Sequence, residues 1–395
     1  MKDFRTIVEE YQKVDFTRRR AALATVIKVH GSSYRSPGAR MLITDDGRWV
    51  GSISGGCLEG DALRKARQVM TDAKAITVTY DTREESNQNL GIGLGCNGVI
   101  DVLIEPVVPG DADNPVTLFE GFLKTSHPLA LATVFAPAGI AGRKLLVGPD
   151  GMPCGGSAGP LPETLGNDLG KIFDTRKSEA RRYETAEGPV DVFLELVQPV
   201  VRLILFGAGF DARPVSQLAR SLGWEVEVTD ECVAHIAPVF FPEATKLSLC
   251  QREFIDRDFE ITPYTACVLM SHNYAYDRDV LEKLIAQQAP YIGILGPRKR
   301  FDKMQEEFEA RGIRLTSDQL AKIHSPIGLD IGAEAPDEIA VSIVAEIQSV
   351  FSNRSGGFLK YRSGPIHQRD AGSDQVFKQV YLNEPTSRSA GGKSG

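Results

Sequence analysis

Nothing in this sequence marks a membrane span, a disulfide framework or a nucleic-acid surface. No apolar run approaches the ~18 residues a spanning helix needs. The six cysteines, Cys57, Cys96, Cys154, Cys232, Cys250 and Cys267, form no CxxC pair and no cluster at metal-ligand spacing. Basic residues are outnumbered 45 to 52, a formal charge of −7. A chain of that sign has no general attraction for phosphate backbones, so no nucleic-acid partner is expected. The opening Met1-Lys2-Asp3-Phe4-Arg5 carries charge where a signal segment would be apolar, and the expected location is cytoplasmic. What the chain does have is length, 395 residues, and glycine, 38 of them. The length predicts two or three domains with cores of their own.

The order of elements predicts an α/β protein in two halves. Phe4, Val8 and Tyr11 recur at helical spacing, predicting a helix over 4–18. Strands are expected at 22–29, 40–44, 49–54, 76–80 and 99–104, with a helix through Leu63, Ala66, Val69 and Met70. The first half then echoes itself. Ala22 to Val26 reads ALATV, and so does Ala130 to Val134. Asp46-Gly47 returns as Asp150-Gly151, and a cysteine–glycine cluster returns as Cys154-Gly155-Gly156. Two alike strand-turn-strand units would give this pattern. After Pro199 the character changes to apolar strands alternating with helices, which predicts a parallel, Rossmann-like sheet. The expected division is 1–115, a mixed α/β N-terminal domain; 116–197, its second unit; 198–350, the Rossmann-like domain; and 351–395, an extension with little to bury at its end.

Val201 to Phe206 runs directly into Gly207-Ala208-Gly209-Phe210-Asp211-Ala212, a GxGxxA turn between a predicted strand and a predicted helix. Such a turn brings backbone N–H groups up to a pyrophosphate, making Gly207 and Gly209 candidate cofactor contacts. Asp230 ends the next predicted strand, 23 residues after Gly207, where a carboxylate accepts from a ribose. With Glu231 beside it, that position favours NAD(H) over NADP(H). His272 and Asp277 follow the apolar strand 265–270, as ligand contacts or as a hydrogen-bonded histidine and a helix cap. Arg298, in the Gly296-Pro297-Arg298-Lys299-Arg300 loop, would meet phosphate or solvent. His324 opens a glycine-containing loop and would bind a ligand or transfer a proton.

In the first half, Gly55 and Gly56, candidate cofactor contacts, and Cys57 precede a predicted helix, a position that lowers a thiol's pKa. Glu59 in the first turn would cap that helix or oppose the thiolate. Gly91 to Gly98 holds a second thiol, Cys96. Both cysteines are candidates for a catalytic or soft-metal role. Arg35 and Arg40 flank a loop rich in donors for phosphate or a polar heterocycle, and Arg40 would equally suit a structural ion pair.

Together, GSSYRSPGARMLI at 31–43, GSISGGCLEGD at 51–61, GLGCNGV at 93–99, LILFGAGFDA at 203–212, LMSHNYAYD at 269–277, YIGILGPRKR at 291–300 and the stretch from His324 to Ile347 resemble the XdhC/CoxI family of accessory proteins for molybdenum hydroxylases. Phe210 stands where the family turn has histidine, and Asn97 departs from its GCGG loop. The resemblance implies binding of the molybdenum cofactor during its sulfuration and insertion. The implied partners are an apo molybdenum hydroxylase and a cysteine desulfurase, and Cys57 and Cys96 would lie near the molybdenum. A homodimer is also expected, since exposed strand edges pair. An NAD(H)-dependent oxidoreductase is the alternative, on the strength of GxGxxA, Asp230 and His272; a ligand-free scaffold is a third reading.

Overall fold

The fold is taken from a computed structural model that describes residues 2–31, 33–82, 98–111, 113–156 and 164–363. The chain divides into two units, Asp3–Gln198 and Pro199–Tyr361. The sequence division at 115/116 falls inside the first of them.

The N-terminal elements are α1 (Lys2–Tyr11), β1 (Ala21–Gly31), β2 (Arg40–Thr44), β3 (Trp49–Gly51), α2 (Glu59–Asp72), β4 (Ile76–Asp81), β5 (Gly98–Val107), α3 (Pro115–Phe122), β6 (Leu129–Ala136), β7 (Lys144–Val147), β8 (Pro153–Gly156), α4 (Leu165–Thr175), β9 (Glu179–Thr185) and β10 (Gly188–Val197). They form two antiparallel sheets, β3-β2-β1-β5-β4 and β8-β7-β6-β10-β9, so the second repeats the strand order of the first. Ala22, Ala24 and Val26 on one face of β1 pack with Ala62, Ala66, Val69 and Met70 along one stripe of α2. Ala130, Ala132 and Val134 on β6 meet Leu165, Leu169 and Ile172 of α4 in the same way. Helix α1 stops at Tyr11, short of the expected 18, and Asp15 instead draws in the Thr17 amide (3.1 Å) and hydroxyl (2.6 Å) as a local turn.

The repeat corrects one reading. Cys154 is not the counterpart of Cys57. Gly156 pairs with Leu145 as Gly51 pairs with Met41, which puts Cys154 near the position of Trp49. The shared constraint is backbone. Both glycines have positive φ (83° and 92°), and a Cβ at either would collide with the carbonyl of Arg40 or Lys144.

The second unit holds β11 (Arg202–Phe206), α5 (Ala212–Ser221), β12 (Glu225–Asp230), β13 (Lys246–Leu249), α6 (Ile255–Asp258), β14 (Thr265–Leu269), α7 (Tyr274–Ala286), β15 (Tyr291–Ile294), α8 (Arg298–Ala310), α9 (Ser317–Leu320), β16 (Ile323–His324) and α10 (Pro336–Phe351). Its sheet is wholly parallel, in the order β13-β12-β11-β14-β15-β16, the doubly wound Rossmann order. Alternate residues of β11 serve opposite faces, as strand geometry requires. Leu203 and Leu205 join Val215 of α5 and Ile343 of α10, while Ile204 and Phe206 join Leu281 of α7 and Phe308 of α8. Cys267 lies fully inside this second layer, where the sequence places it. Among the described residues no helix is long and apolar enough to cross a membrane.

Candidate functional site

The loop from Ser52 to Leu58 wraps around the carboxylate of Glu59. Oε1 accepts from the Ser52 hydroxyl (2.8 Å) and from the amides of Ile53 (3.2 Å), Ser54 (2.9 Å) and Gly55 (3.2 Å). Oε2 accepts from the Ser54 hydroxyl (2.5 Å) and the amides of Gly56 (2.9 Å) and Leu58 (3.1 Å). The φ values of Gly55 (96°) and Gly56 (121°) turn successive N–H groups inward, which makes an anion nest. Burial works against the charge on Glu59, but these donors prevail and hold its pKa at about 2. The amides of Gly55 and Gly56, expected to meet a cofactor, thus already serve Glu59. Cys57 is half-buried on this loop, against the core under α2. Glu59 occupies the anion-favouring end of α2. Cys96 lies outside the described residues.

Arg40 makes the structural ion pair that was one of its two readings. Its side chain is 3% exposed, grips Glu195 of β10 through both ends of the guanidinium (Nη1 to Oε1 2.9 Å), and lies 4.8 Å and 5.0 Å from the ring centres of Phe4 and Phe119. Lys144 repeats the arrangement from the second sheet, pairing with Glu105 of β5. Each cation also donates to a glycine carbonyl two residues back, Gly38 (2.7 Å) or Gly142 (2.8 Å). The two buried pairs therefore cross-link the two sheets reciprocally. Arg35 pairs with Asp3.

In the second unit the loops at the carboxyl ends of the strands bring several expected residues together. Gly207 has φ 118°, and a Cβ there would lie 2.5 Å from Ser271 N and Cα. That close approach joins the ends of β11 and β14, where the strand order reverses and ligands bind in such sheets. Gly207→Ala is expected to destabilise this unit by more than ~2 kcal/mol. Urea unfolding of the full chain checks this, and an unchanged midpoint would contradict the packing described.

Asp230 sits at the end of β12, as read from the sequence, but both its oxygens already serve the chain. Oδ2 accepts from Ala208 N (2.9 Å) and lies 3.2 Å from His235 Nδ1, and Oδ1 accepts from Cys232 N (2.8 Å). Glu231 is held by Arg252, which keeps its carboxyl below the usual range. His272, at φ 59°, is exposed and places Nε2 2.9 Å from Asp211 Oδ2. Asp277 is not the helix cap offered as one of its two readings. It is buried, accepts from the Ser271 hydroxyl (2.5 Å) and pairs with Arg300 (2.6 Å). Burial pushes its carboxyl up, against the pull of both partners. Asn273 caps α7 instead, accepting from the amides of Ala275 (3.1 Å) and Tyr276 (3.2 Å). Arg298 faces solvent, with Asp302 3.8 Å away.

His324 ends β16. Its Nδ1 is 3.1 Å from Glu346 Oε1, and its ring stacks on Tyr291 at 4.4 Å. Glu346 also accepts from the Tyr291 hydroxyl (2.5 Å) and Gly328 N (3.1 Å). Burial opposes the charge on Glu346, but these donors, His324 first, hold its carboxyl below the usual range. Sequence reasoning passed over Asp211 and Glu346. An acid inside a GxGxxA turn was a visible signal for the first; nothing in the sequence links the second to a histidine 22 residues earlier.

An antiparallel half of two like sheets, followed by a parallel sheet whose strand order reverses at a glycine turn, defines a two-unit α/β protein with a Rossmann-type C-terminal domain. Residues 203–347 match the family model of the XdhC Rossmann domain, and residues 17–81 match that of the XdhC and CoxI family. A relative from Bacillus subtilis described as a probable subunit of xanthine dehydrogenase is 32% identical over 329 residues, 83% of this chain and 92% of its own length. The molybdenum cofactor insertion chaperone PaoD of Escherichia coli is 23% identical over 348 residues, 88% of this chain and 89% of its own. A crystal structure described as a xanthine dehydrogenase from Bacillus halodurans superposes with a TM-score of 0.70 at 29% identity, covering 91% of this chain and 98% of that one. The chain belongs to the XdhC and CoxI family, which these relatives associate with xanthine dehydrogenase and molybdenum-cofactor maturation.

Proposed function

We propose that the protein carries a molybdenum–pterin cofactor and delivers it to a xanthine-dehydrogenase-type molybdenum hydroxylase, with a cysteine desulfurase as the source of the terminal sulfur. One observation carries the reading beyond family membership. The donor cradles that would grip an anionic ligand hold the chain's own carboxylates, Glu59 at residues 52–58 and Asp230 at Ala208. A phosphate entering either cradle must displace a charge of its own sign. Retention is then moderate and release needs no new contact, which suits a carrier and not a catalyst that holds its cofactor through every turnover.

The residues fit the pterin part of such a group better than a dinucleotide. The Gly207 turn offers close backbone approach, and the exposed ring of Phe210 beside it offers a face on which a flat heterocycle stacks. Asp211 and His272 would hold the pterin. When bound, the cofactor supplies the redox centre that the acceptor hydroxylase uses. The chain's residues would bind it and orient it. The same carboxylates count against an NAD(H)-dependent oxidoreductase, because a pyrophosphate on the turn would face Asp211 and Asp230.

Transfer tests the reading directly. The loaded chain, mixed with an apo molybdenum hydroxylase and no free cofactor, should restore its activity; a loaded chain that activates nothing would refute delivery. Cys57→Ser should lower cofactor retention severalfold with an unchanged melting temperature, because it replaces a soft donor at nearly constant volume. Undiminished retention removes Cys57 from the account.

A further inference from the structure

Three large apolar side chains stand exposed within four residues just past α10. Phe358, Leu359 and Tyr361 are 76%, 62% and 77% exposed. They do not hang on a loose tail. Helix α10 ends in a Schellman turn, with Asn353 in the left-handed conformation (φ 52°). The Asn353 amide donates to Val350 O (3.0 Å), and the Arg354 amide reaches back to Ser349 O (2.8 Å). The chain then passes close over the loop after β16, where a Cβ on Gly356 would lie 3.0 Å from Leu329 Cδ2. A single 3₁₀ turn, Leu359–Tyr361, follows, and the Tyr361 amide donates to Phe358 O (3.1 Å). The Phe358 and Tyr361 rings meet edge to face, 6.1 Å apart, with Lys360 Nζ 5.4 Å and 4.8 Å from their centres. The two rings are thus held in one arrangement while facing water. Packing does not explain them, because the core of this unit extends along α10 only to Phe351.

The charge of this stretch is opposite to that of the chain. Between Glu346 and Asp370 the sequence has Arg354, Lys360, Arg362 and Arg369 and no acid, in a protein of net charge −7. Among the described residues Arg354 and Lys360 have no acidic partner, whereas Arg252 and Arg300 are paired with Glu231 and Asp277. An apolar anchor with unpaired cations fits a protein surface of the opposite kind, an apolar cleft rimmed by Asp and Glu. A bilayer calls for a longer amphipathic helix than one turn supplies. We propose that the turn at 358–361 is the docking anchor by which the protein engages the hydroxylase that accepts its cofactor, seating Phe358 and Tyr361 in an acid-rimmed apolar cleft of that partner. The proposal rests on the carrier reading above and goes beyond it by naming the surface. Rings already held in place lose little freedom on docking, and the cations speed encounter. A small anchor of this kind forms and parts quickly, as repeated delivery requires.

Association of the cofactor-free full chain with the apo-hydroxylase, followed by surface plasmon resonance, tests this. Phe358→Ser combined with Tyr361→Ser should weaken association at least tenfold. Melting temperature and cofactor retention should not change, because neither side chain is buried. Lys360→Glu should slow association severalfold at low salt, and the difference should vanish near about 0.5 M salt. A double variant that associates as the parent does overturns the proposal. So does a double variant that loses binding to the cysteine desulfurase, or to phosphatidylglycerol vesicles, while its hydroxylase binding stays intact. Transfer separates this contact from the carrier reading. A loaded double variant that activates the hydroxylase at the parent's concentration sinks the anchor and leaves the carrier standing. A parent chain that binds the hydroxylase through this turn yet activates nothing sinks the carrier and leaves the anchor.

Discussion

Lys144→Met is expected to melt roughly 10 °C below the parent, a loss of about 3–5 kcal/mol from the first unit. Lys144 and Glu105 are 2% and 5% exposed, so removing the cation leaves a carboxylate in the interior without its ion-pair partner. Burial already pushes the Glu105 carboxyl up, and Lys144 is the main influence pulling it back. Leaving a buried charge unpaired is far more damaging than removing both partners. The double replacement Lys144→Met with Glu105→Leu should therefore recover most of the loss. The reciprocal pair gives an internal control, because Arg40 and Glu195 hold the same places in the other direction. Calorimetry of the full chain reads both variants. A single variant within about 1 kcal/mol of the parent would mean that these pairs do not act as buried cross-links.

Glu59→Gln should destabilise the same unit by about 3 kcal/mol. A carboxylate accepts seven donations there, whereas the amide offers one oxygen and turns an NH2 group toward N–H donors. The pH dependence has a definite sign. The carboxyl titrates near 2 in the folded chain against 4.5 ordinarily, so its contribution is fully present above about pH 4.5 and is lost as pH falls toward 2. The parent should lose stability through that window more steeply than Glu59→Gln, by an amount on the order of 3 kcal/mol. Parallel stability–pH curves for the two proteins would exclude an ionised Glu59 as the centre of the loop. Because Cys57 sits on this loop, the variant should also change the rate at which that thiol is alkylated.

The Rossmann half was legible because its signals are local. A continuous apolar strand running into a glycine turn, then a helix, can be read within one stretch, as at β11 and α5. The short edge strands β13 and β16 were not read, since four and two residues carry too little pattern. In the first half the ALATV echo lies on β1 and β6, the central strands of the two sheets. The cysteine–glycine echo misled, because the structural requirement is for Gly51 and Gly156 and imposes nothing on a thiol. The candidate site was located through its glycines, but what fills it was hidden. Glu59 was legible as a first-turn acid, yet its grip on the loop depends on positive φ at Gly55 and Gly56. Arg40 finds Glu195 155 residues away, a partner that no local pattern reveals. The ion pair of Asp277 was hidden for the same reason, its partner Arg300 coming from the next helix.

The central claim is that this chain holds a molybdenum–pterin group and lets it go. Molybdenum and pterin content per chain, measured on protein purified from a cofactor-producing host before and after dilution with excess apo-hydroxylase, tests it most directly. The account predicts near-equal molybdenum and pterin on the purified chain, falling together as the hydroxylase gains both. A chain that carries neither and takes up neither as apoprotein would contradict the account at its root.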